Sequence, residues 1–396
     1  MRRRELLAGL AAIGPLTVAG RVWAAPRAAA RLLVVFLRGA YDAANVVIPV
    51  ASDFYYQARP TLAVPPPKSG GPDAAAALDA DWGLHPALAE SILPLWQAKE
   101  IAFVPFAGTD DLTRSHFETQ DTIELGQPVH GARDYRSGFM NRLVGVLTAA
   151  RPISFTDQLP LIFRGGEPVP NAGLDVMPGP TLAGNEVGLI EGMYRGNPLA
   201  MSVSEGFAVH DDVSSTVSPE AAVASRGAVS ARGFEMSGRR IGRLMRERYN
   251  LGFVDVGGWD THVGEGGTKG YLPDRLRALG RGVAAFAQEI GQEAWRETVV
   301  VVISEFGRTF RENGNRGTDH GHGSVYWVLG GAVAGGRMAG EQVRVQQATL
   351  FQNRDFPVLT DYRALFGGLL QRLYGLNAQQ LATVFPDARP KDLGLV

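Results

Sequence analysis

Cysteine is absent from the 396 residues of this chain. Its absence excludes disulfides, thiolate-bound zinc, iron–sulfur clusters and thiol nucleophiles. Neither sign of charge dominates: 39 basic and 40 acidic residues give a net charge of −1, and no dense Lys/Arg stripe crosses the body of the chain. This balance argues against a nucleic-acid partner. With 45% hydrophobic and 20% charged residues, the composition is that of a folded globular protein.

Long apolar segments are also lacking, and the N-terminal one is short and broken by glycines. Three arginines at positions 2–4 precede a mildly apolar run to about Val22, and the sequence Val22-Trp23-Ala24 places small residues at the −3 and −1 positions of a cleavage site. This order is that of a signal peptide, and the run is too short and too rich in glycine for a membrane anchor. The RRxLL core resembles a twin-arginine export signal. We therefore expect residues 1–24 to be read by the twin-arginine export machinery, and residues 25–396 to be periplasmic or secreted, with no stable membrane span after cleavage.

Continuous apolar runs rich in β-branched residues predict strands that are buried on both faces of a parallel sheet. Amphipathic helical patterns lie between them, so we expect a three-layer α/β/α sandwich around a mainly parallel sheet. Pro105 is expected to end its strand. Irregular cap segments are expected near residues 64–80 and 165–230, and residues 264–270 lack the order of a phosphate loop and predict a flexible rim. The predicted strands are 31–37, 101–106, 251–256, 298–303 and 325–329, and the predicted helices are 85–99, 275–290 and 361–374, the last with an Asp cap.

Polar residues collect beside these strands, where an open α/β sheet binds its ligands. Only seven histidines occur, and four of them fall in these segments, each near an Asp or a Ser. Asp and His together suit zinc, manganese or iron. The two-residue spacing of Asp260 and His262, which His320 and His322 repeat, lets both side chains of a pair point the same way from an extended segment. The segments are Arg38 to Asn45 with Asp42, Thr113 to Phe117, Gly257 to His262, Ser304 to Arg308 with Glu305, and Asp319 to Gly323.

Each of these residues also has a simpler interpretation. An Asp-x-His pair in a Gly-rich loop is often solvated, and Glu305 can pair with Arg308. Ser115 and Asp42 can be helix N-caps, a common role for such residues after a strand. The metal hypothesis gains weight because all the segments fall at one edge of one predicted sheet.

Taken together, the motifs resemble a known family. LRGAYDAANVVIPV, TRSHF, FVDVGGWDTH and VVVISEFGRTFRENGNRGTDHGHGSVYWVLGG, with the twin-arginine start, resemble the exported bacterial family called domain of unknown function 1501. The resemblance runs from about Arg31 to near the C-terminus. That family is grouped with the alkaline phosphatase, sulfatase and phosphoglycerate mutase superfamily, which implies an alkaline phosphatase-like fold and one or two divalent metal ions, with zinc or manganese expected.

The resemblance also implies roles for individual residues. Asp42 matches the metal-binding Asp of the first strand, and Ser115 sits where the attacking hydroxyl belongs, with Thr113 as the alternate. Asp260 and His262 match the Asp/His pair of one metal, and His320 or His322 its last ligand. His116 is expected to orient the loop or to contact the leaving group.

Two departures from the superfamily pattern bear on the metal count. Glu305-Phe306 stands where Asp-His is usual, so a second ion loses a ligand unless Asp319 or another group substitutes, and the Asp260/His262 spacing is tighter than usual. The alternatives are one ion, two ions in altered geometry, or none. Arg114 and Arg308 can supply the positive charge of a missing ion.

The function expected from the sequence is an exported metal-dependent hydrolase of phosphate or sulfate esters, either small or polymer-borne. The alternative is a degenerate superfamily member that binds a ligand or partner at the cell envelope. The altered SEFG segment favours the alternative, and the retained Asp, Ser and His set favours the hydrolase.

Overall fold

The computed structural model of this chain describes residues 30–174, 192–193 and 233–396. The predicted signal peptide at 1–24 and most of the predicted cap segment at 165–230 lie outside the described residues. None of the described helices has the length and hydrophobicity of a membrane span. The strands are β1 (Arg31–Leu37), β2 (Val47–Ile48), β3 (Ala76–Ala77), β4 (Gly83–Leu84), β5 (Ile101–Gly108), β6 (Pro152–Ser154), β7 (Leu251–Val256), β8 (Thr298–Ser304), β9 (Ser324–Leu329), β10 (Arg337–Met338) and β11 (Thr360–Asp361). The described helices are α1 (Asp53–Ala58), α2 (Leu93–Gln97), α3 (His116–Leu125), α4 (Phe139–Val146), α5 (Gly233–Glu247), α6 (Tyr271–Glu289), α7 (Gln292–Trp295), α8 (Tyr362–Tyr374) and α9 (Ala378–Val384).

The large sheet has the order β10-β5-β9-β8-β1-β7-β6, with β11 also paired to β5. Strand β1 pairs in parallel with both β7 and β8, and β6 pairs in parallel with β7. Strand β9 runs antiparallel to both of its neighbours, β5 and β8. The sheet is therefore mixed and mainly parallel, as the sequence predicts.

Alternate residues of β1 point into two separate hydrophobic cores. Leu33, Val35 and Leu37 pack with α5 and α6 on one face of the sheet. Leu32 and Val34 pack with α4, α8 and α9 on the other face. This two-residue alternation in a strand that is apolar throughout is what a sheet covered on both sides requires. The three-layer α/β/α sandwich expected from the sequence is confirmed.

The local corrections to the predicted elements have physical causes. Strand β5 continues to Gly108 rather than ending at Pro105, because its pairing with β9 resumes at Ala107 after an irregularity at Phe106. The helix predicted over 85–99 is divided into a 3-10 turn at Pro86–Leu88 and the short helix α2.

The other predicted helices are close to the observed ones. Helix α6 begins a few residues before the predicted start, and α8 begins after Asp361, whose side chain accepts hydrogen bonds from two backbone N–H groups of the first turn, as predicted for its cap. Residues 64–80 are largely irregular, with one 3-10 turn at Pro67–Ser69 and the short strand β3, which joins β2 and β4 in a small antiparallel sheet.

Candidate functional site

The predicted site segments meet at the carboxyl edge of the parallel strands. His116 is the first residue of α3, in the connection after β5. Asp260 and His262 follow β7, and Glu305 and Arg308 follow β8. The loop carrying His320 precedes β9, so it reaches this edge only because β9 runs antiparallel to the strands beside it.

Three imidazole rings converge on one carboxylate oxygen. Oδ1 of Asp260 lies 3.0 Å from Nε2 of His262, 3.4 Å from Nε2 of His116 and 3.5 Å from Nε2 of His320. The Nε2 atoms of His262 and His320 are 3.0 Å apart. Ligand atoms of His116, Asp260 and His320 are thus mutually close, and His262 adjoins two of them, Asp260 and His320. We call Asp260, His116, His262 and His320 the His/Asp cluster.

The opposite ring nitrogen of each histidine faces an oxygen. Nδ1 of His320 lies 2.8 Å from the carbonyl oxygen of Arg114, which can only accept, so this nitrogen carries the proton. Nδ1 of His116 lies 2.8 Å from Oε1 of Glu305, and Nδ1 of His262 lies 3.1 Å from Oδ1 of Asp319. When the rings are neutral, this tautomer turns three Nε2 lone pairs toward Asp260.

This arrangement fits a divalent cation. His116, Asp260 and His320 have ligand atoms that all lie within 4.8 Å of one another, as a shared ion requires. A tetrahedral ion with bonds of about 2.1 Å separates its ligand atoms by about 3.4 Å, close to the spacing seen here. Within the described residues, Nε2 of His116 is buried and has no hydrogen-bond partner. Outer hydrogen bonds from metal-binding histidines to carboxylates and carbonyls are typical of such sites.

Glu305, predicted as a ligand, lies behind His116. It is fully buried, and Oε1 accepts hydrogen bonds of 2.8 Å from His116, from the backbone N–H of Gly39 and from Gln120. Burial raises the pKa of Glu305, but these hydrogen bonds outweigh it and the pKa lies below its usual value. The same contact raises the pKa of His116 despite the opposing effect of burial. Glu305 does not pair with Arg308.

Gly39 is required where β1 ends. Its φ of +116° is unfavourable for other residues, and a Cβ atom there would lie 2.8 Å from the backbone nitrogen of Asp260. The glycine therefore lets the loop after β1 approach the loop of Asp260 while its N–H group reaches Glu305.

Arg308 is a fixed cation beneath the His/Asp cluster. Its guanidinium is inaccessible to solvent and donates to Oδ1 of Asp260 at 2.5 Å and to the carbonyl oxygens of Gly39 and Ala40. Burial raises the pKa of Asp260, but Arg308 outweighs it and the pKa falls to about 2. Arg308 thus holds a candidate ligand ionised, and it does not face solvent as a group for binding an oxyanion would.

The site is open to solvent on the side away from Arg308. The side chains of Asp260 and His262 are 49% and 40% exposed, whereas His116 and His320 are 18% and 28% exposed. A ligand can therefore approach from the Asp260 and His262 side.

Asp42 was expected to bind a metal ion, but in the structure its carboxylate forms a salt bridge with Arg59. Arg59 donates to both carboxylate oxygens of Asp42, and both side chains are buried. Asp42 does not cap the short helix that follows it.

Burial and the neighbouring Asp42 raise the pKa of Glu265 well above its usual value, and Oε2 of Glu265 accepts a hydrogen bond from Thr318. Glu265 lies in the segment predicted as a flexible rim, yet it is fully buried.

His322 and Asp319 also depart from the predicted ligand set. His322 is buried against Phe351, with ring centroids 4.8 Å apart, and burial lowers its pKa to about 4. The chain turns between His320 and His322 because the backbone of Gly321 packs against that of Arg308, where a Cβ atom would lie 2.4 Å from its carbonyl carbon. Asp319 contacts Nδ1 of His262 and so lies outside the group of ligand atoms.

Ser115 begins α3, as its simpler interpretation predicts. Its Oγ accepts from the backbone N–H of Glu118 at 3.5 Å. Of its neighbours, Arg114 contacts His320 of the cluster and His116 belongs to the cluster. The Arg114 side chain donates to the buried Asp355, so its charge is already paired. Arg114 contributes its carbonyl oxygen to the site instead of a free charge.

Three residues that support the site belong to no motif from which the sequence could have predicted them. Arg59, Gln120 and Asn313 act through hydrogen bonds to Asp42, Glu305 and Asp319. His116 belongs to the predicted TRSHF motif, but only the fold reveals that its ring joins Asp260.

The chain matches one protein family and is distantly similar in structure to two solved proteins. Residues 29–385 match the family described as "Protein of unknown function (DUF1501)". No curated protein matches the chain. The crystal structure of Ps i-CgsB in complex with k-i-k-neocarrahexaose is similar at 8% identity and a TM-score of 0.40, over 89% of this chain and 73% of that chain. A protein in the alkaline phosphatase superfamily from Vibrio parahaemolyticus is similar at 11% identity and a TM-score of 0.35, over 76% of this chain and 60% of its own.

Proposed function

The chain belongs to the DUF1501 family of proteins of unknown function, and we propose that it is an exported metal-dependent hydrolase of phosphate or sulfate esters. The observation that carries this proposal is the His/Asp cluster. Three Nε2 atoms face Oδ1 of one ionised carboxylate within 3.5 Å, and each ring is oriented by a hydrogen bond on its far side.

The proposed ion is one divalent cation held by Asp260, His116, His262 and His320. Three nitrogen ligands with one oxygen favour zinc, with manganese as the alternative. A single ion is proposed because Arg59 already occupies Asp42, the carboxylate expected to serve a second one. Bound there, the ion would polarise an ester oxygen as a Lewis acid and lower the pKa of the attacking group.

The residues around the cluster suit an anionic ester. Arg308 holds Asp260 ionised, so the ligand set carries a single carboxylate charge and a bound divalent ion would leave the centre positive. The exposed side of Asp260 and His262 leaves room for a phosphoryl or sulfuryl group on a small molecule or a polymer.

Ser115 is the proposed nucleophile. It lies between Arg114, which contacts the cluster, and His116, which belongs to it. The hydrogen bond from Glu118 uses the serine oxygen as an acceptor, which leaves the hydroxyl proton free. Removal of that proton is needed, since a serine hydroxyl attacks poorly at neutral pH without activation. An attacking water is the alternative nucleophile at the same position.

The experiment measures hydrolysis by purified protein loaded with zinc or manganese. The substrates are p-nitrophenyl phosphate and p-nitrophenyl sulfate, and Asp260→Asn is the inactive reference. Metal-dependent turnover of either ester that is lost in D260N supports the proposal. Absence of turnover of both esters by metal-loaded protein contradicts it.

A specific observation favours a second function, that of a non-enzymatic binding protein at the cell envelope. Arg308 already supplies a positive charge 2.5 Å from Asp260, so the cluster has an internal cation. If the chain is a binding protein without a metal, adding zinc should leave its melting temperature unchanged. The hydrolase proposal instead predicts a higher melting temperature with zinc, because the ion binds only the folded chain.

A further inference from the structure

Glu305 is a buried carboxylate whose Oε1 atom is saturated by hydrogen bonds from the protein. Oε1 accepts from His116, Gln120 and the backbone of Gly39. Oε2 lies 2.8 Å from Oγ of Ser304, whose single proton also faces the carbonyl oxygen of Leu37 at 2.6 Å. A direct bond from Oε1 to a metal ion would need one of its three contacts to break.

We propose that Glu305 is a positioning residue that acts on the metal through His116 and is not itself a ligand. This inference rests on the proposed metal site. Hydrogen bonding to Glu305 fixes the proton of His116 on Nδ1 and makes the Nε2 atom a stronger donor toward a cation. The stacking of the His116 ring on Phe306, with ring centroids 5.0 Å apart, holds the imidazole in this plane.

Gln120 extends the arrangement by one step. It lies one helical turn after His116 on α3, donates to Glu305 at 2.8 Å and accepts from Arg38 at 2.9 Å. Arg38 in turn donates to Asp255 at the end of β7. The orientation of Glu305 is thus tied to β1, β7 and α3, the elements that also position the cluster. In the SEFGR motif, Glu305 therefore hydrogen-bonds the His116 ring and Phe306 stacks on it.

This role predicts two results that are independent of catalysis. In metal-free protein above the pKa of His116, ¹⁵N chemical shifts should show the neutral His116 ring protonated on Nδ1, with the signal assigned by its loss in His116→Gln. The Glu305→Gln variant keeps the shape and most of the hydrogen bonds but loses the charge. Its affinity for zinc should fall by about 10- to 100-fold, while the visible spectrum of the cobalt-substituted protein stays that of the wild type.

The matched control is Glu100→Gln. Glu100 is a half-buried glutamate immediately before β5, and it accepts from Nε1 of Trp295 at 3.1 Å without touching a histidine or Arg38. Its zinc affinity should equal that of the wild type. If E305Q does not fold, Gln120→Leu tests the same chain of contacts and should weaken zinc binding in the same direction.

Three results would overturn the inference: a neutral His116 ring protonated on Nε2 in the metal-free wild type, unchanged zinc affinity in a folded E305Q, or a changed cobalt spectrum in that variant. The last would make Glu305 a ligand. A wild type that binds neither zinc nor cobalt would instead contradict the proposed function, and the ¹⁵N measurement would still decide the tautomer.

Discussion

The ring of His320 donates through Nδ1 to the carbonyl oxygen of Arg114 at 2.8 Å, and this contact turns Nε2 toward Asp260. Arg114 has a φ of +53°, a left-handed conformation that is uncommon for a residue with a side chain. Its conformation is stabilised by the pairing of its guanidinium with the buried Asp355. Backbone strain next to Ser115 thus accompanies the presentation of an acceptor to a candidate ligand, a pattern that favours a functional role for the loop.

The two histidines of the DHGHG motif should differ in their effect on metal binding. His320 belongs to the His/Asp cluster and His322 packs on Phe351. We expect His320→Gln to reduce zinc affinity by at least about 100-fold, since a ligand is lost. His322→Gln should keep the affinity and lower the thermal midpoint. Calorimetric titration with zinc and thermal unfolding of both variants test this. Equal loss of zinc binding in the two variants would place His322 in the ligand set.

Ser115 can be tested for capping and for attack separately. Replacement by Ala removes both functions, whereas Asn is as good an N-cap as Ser but carries no hydroxyl. We expect S115A to lose about 1 kcal/mol of stability and S115N to keep the stability of the wild type. If Ser115 is the nucleophile, both variants lose ester hydrolysis while zinc content stays unchanged. Hydrolysis retained by S115N would assign the attack to water and leave Ser115 as a cap.

The buried His85 should make folding stability depend on pH. Its Nδ1 accepts from the backbone N–H of Ala87 and its Nε2 faces the carbonyl of Gly267, and burial lowers its pKa to about 4. The unfolded chain binds this proton near pH 6.5, so the contribution of His85 is complete above that pH and is lost as the pH falls toward 4. The loss reaches up to about 3 kcal/mol.

Urea unfolding between pH 7.5 and 4.5 measures this dependence. His85→Asn should flatten the loss of stability across that interval relative to the wild type, and exchange of the exposed His130 for Asn should leave it unchanged. Parallel pH profiles for the wild type and H85N would contradict the assignment.

Export is predicted to depend on Arg3 and Arg4. Replacing both with Lys keeps the charge but removes the twin-arginine pair. We expect the precursor of this variant to remain in the cytoplasm, whereas Arg21→Lys, outside the pair, is processed normally. Cell fractionation with detection of the shortened chain measures the outcome. Unaltered export of the double variant would show that another route is used.

The sequence predicts the central strands well because the large sheet is buried on both faces. The bounds of β1 and β7 match the predicted runs, since a continuous β-branched stretch has few other stable placements. The meeting of Asp260, His262 and His320 at one sheet edge also follows from strand order. The i, i+2 spacing holds for Asp260 and His262, whose side chains point the same way.

The remaining features depend on contacts that no local pattern encodes. Arg59 reaches Asp42 from 17 positions along the chain and has no motif. The side chains of His320 and His322 lie in different environments because the backbone at Gly321, between them, packs against the backbone of Arg308. Glu305 meets His116 because α3, which follows β5, begins beside the end of β8. Residue types therefore indicated the candidate metal-binding groups, while the division into candidate ligands and supporting residues required the fold.

The metal content of the purified protein tests the central claim most directly. After reconstitution with zinc and removal of excess, elemental analysis should give one ion per chain for the wild type and for the Glu100→Gln control. Asp260→Asn, which keeps the size of the side chain but removes the shared anionic ligand, should retain less than about a tenth of that amount. A wild type without bound metal, or a D260N variant that binds as much zinc as the wild type, would contradict the assignment of the His/Asp cluster as a metal centre.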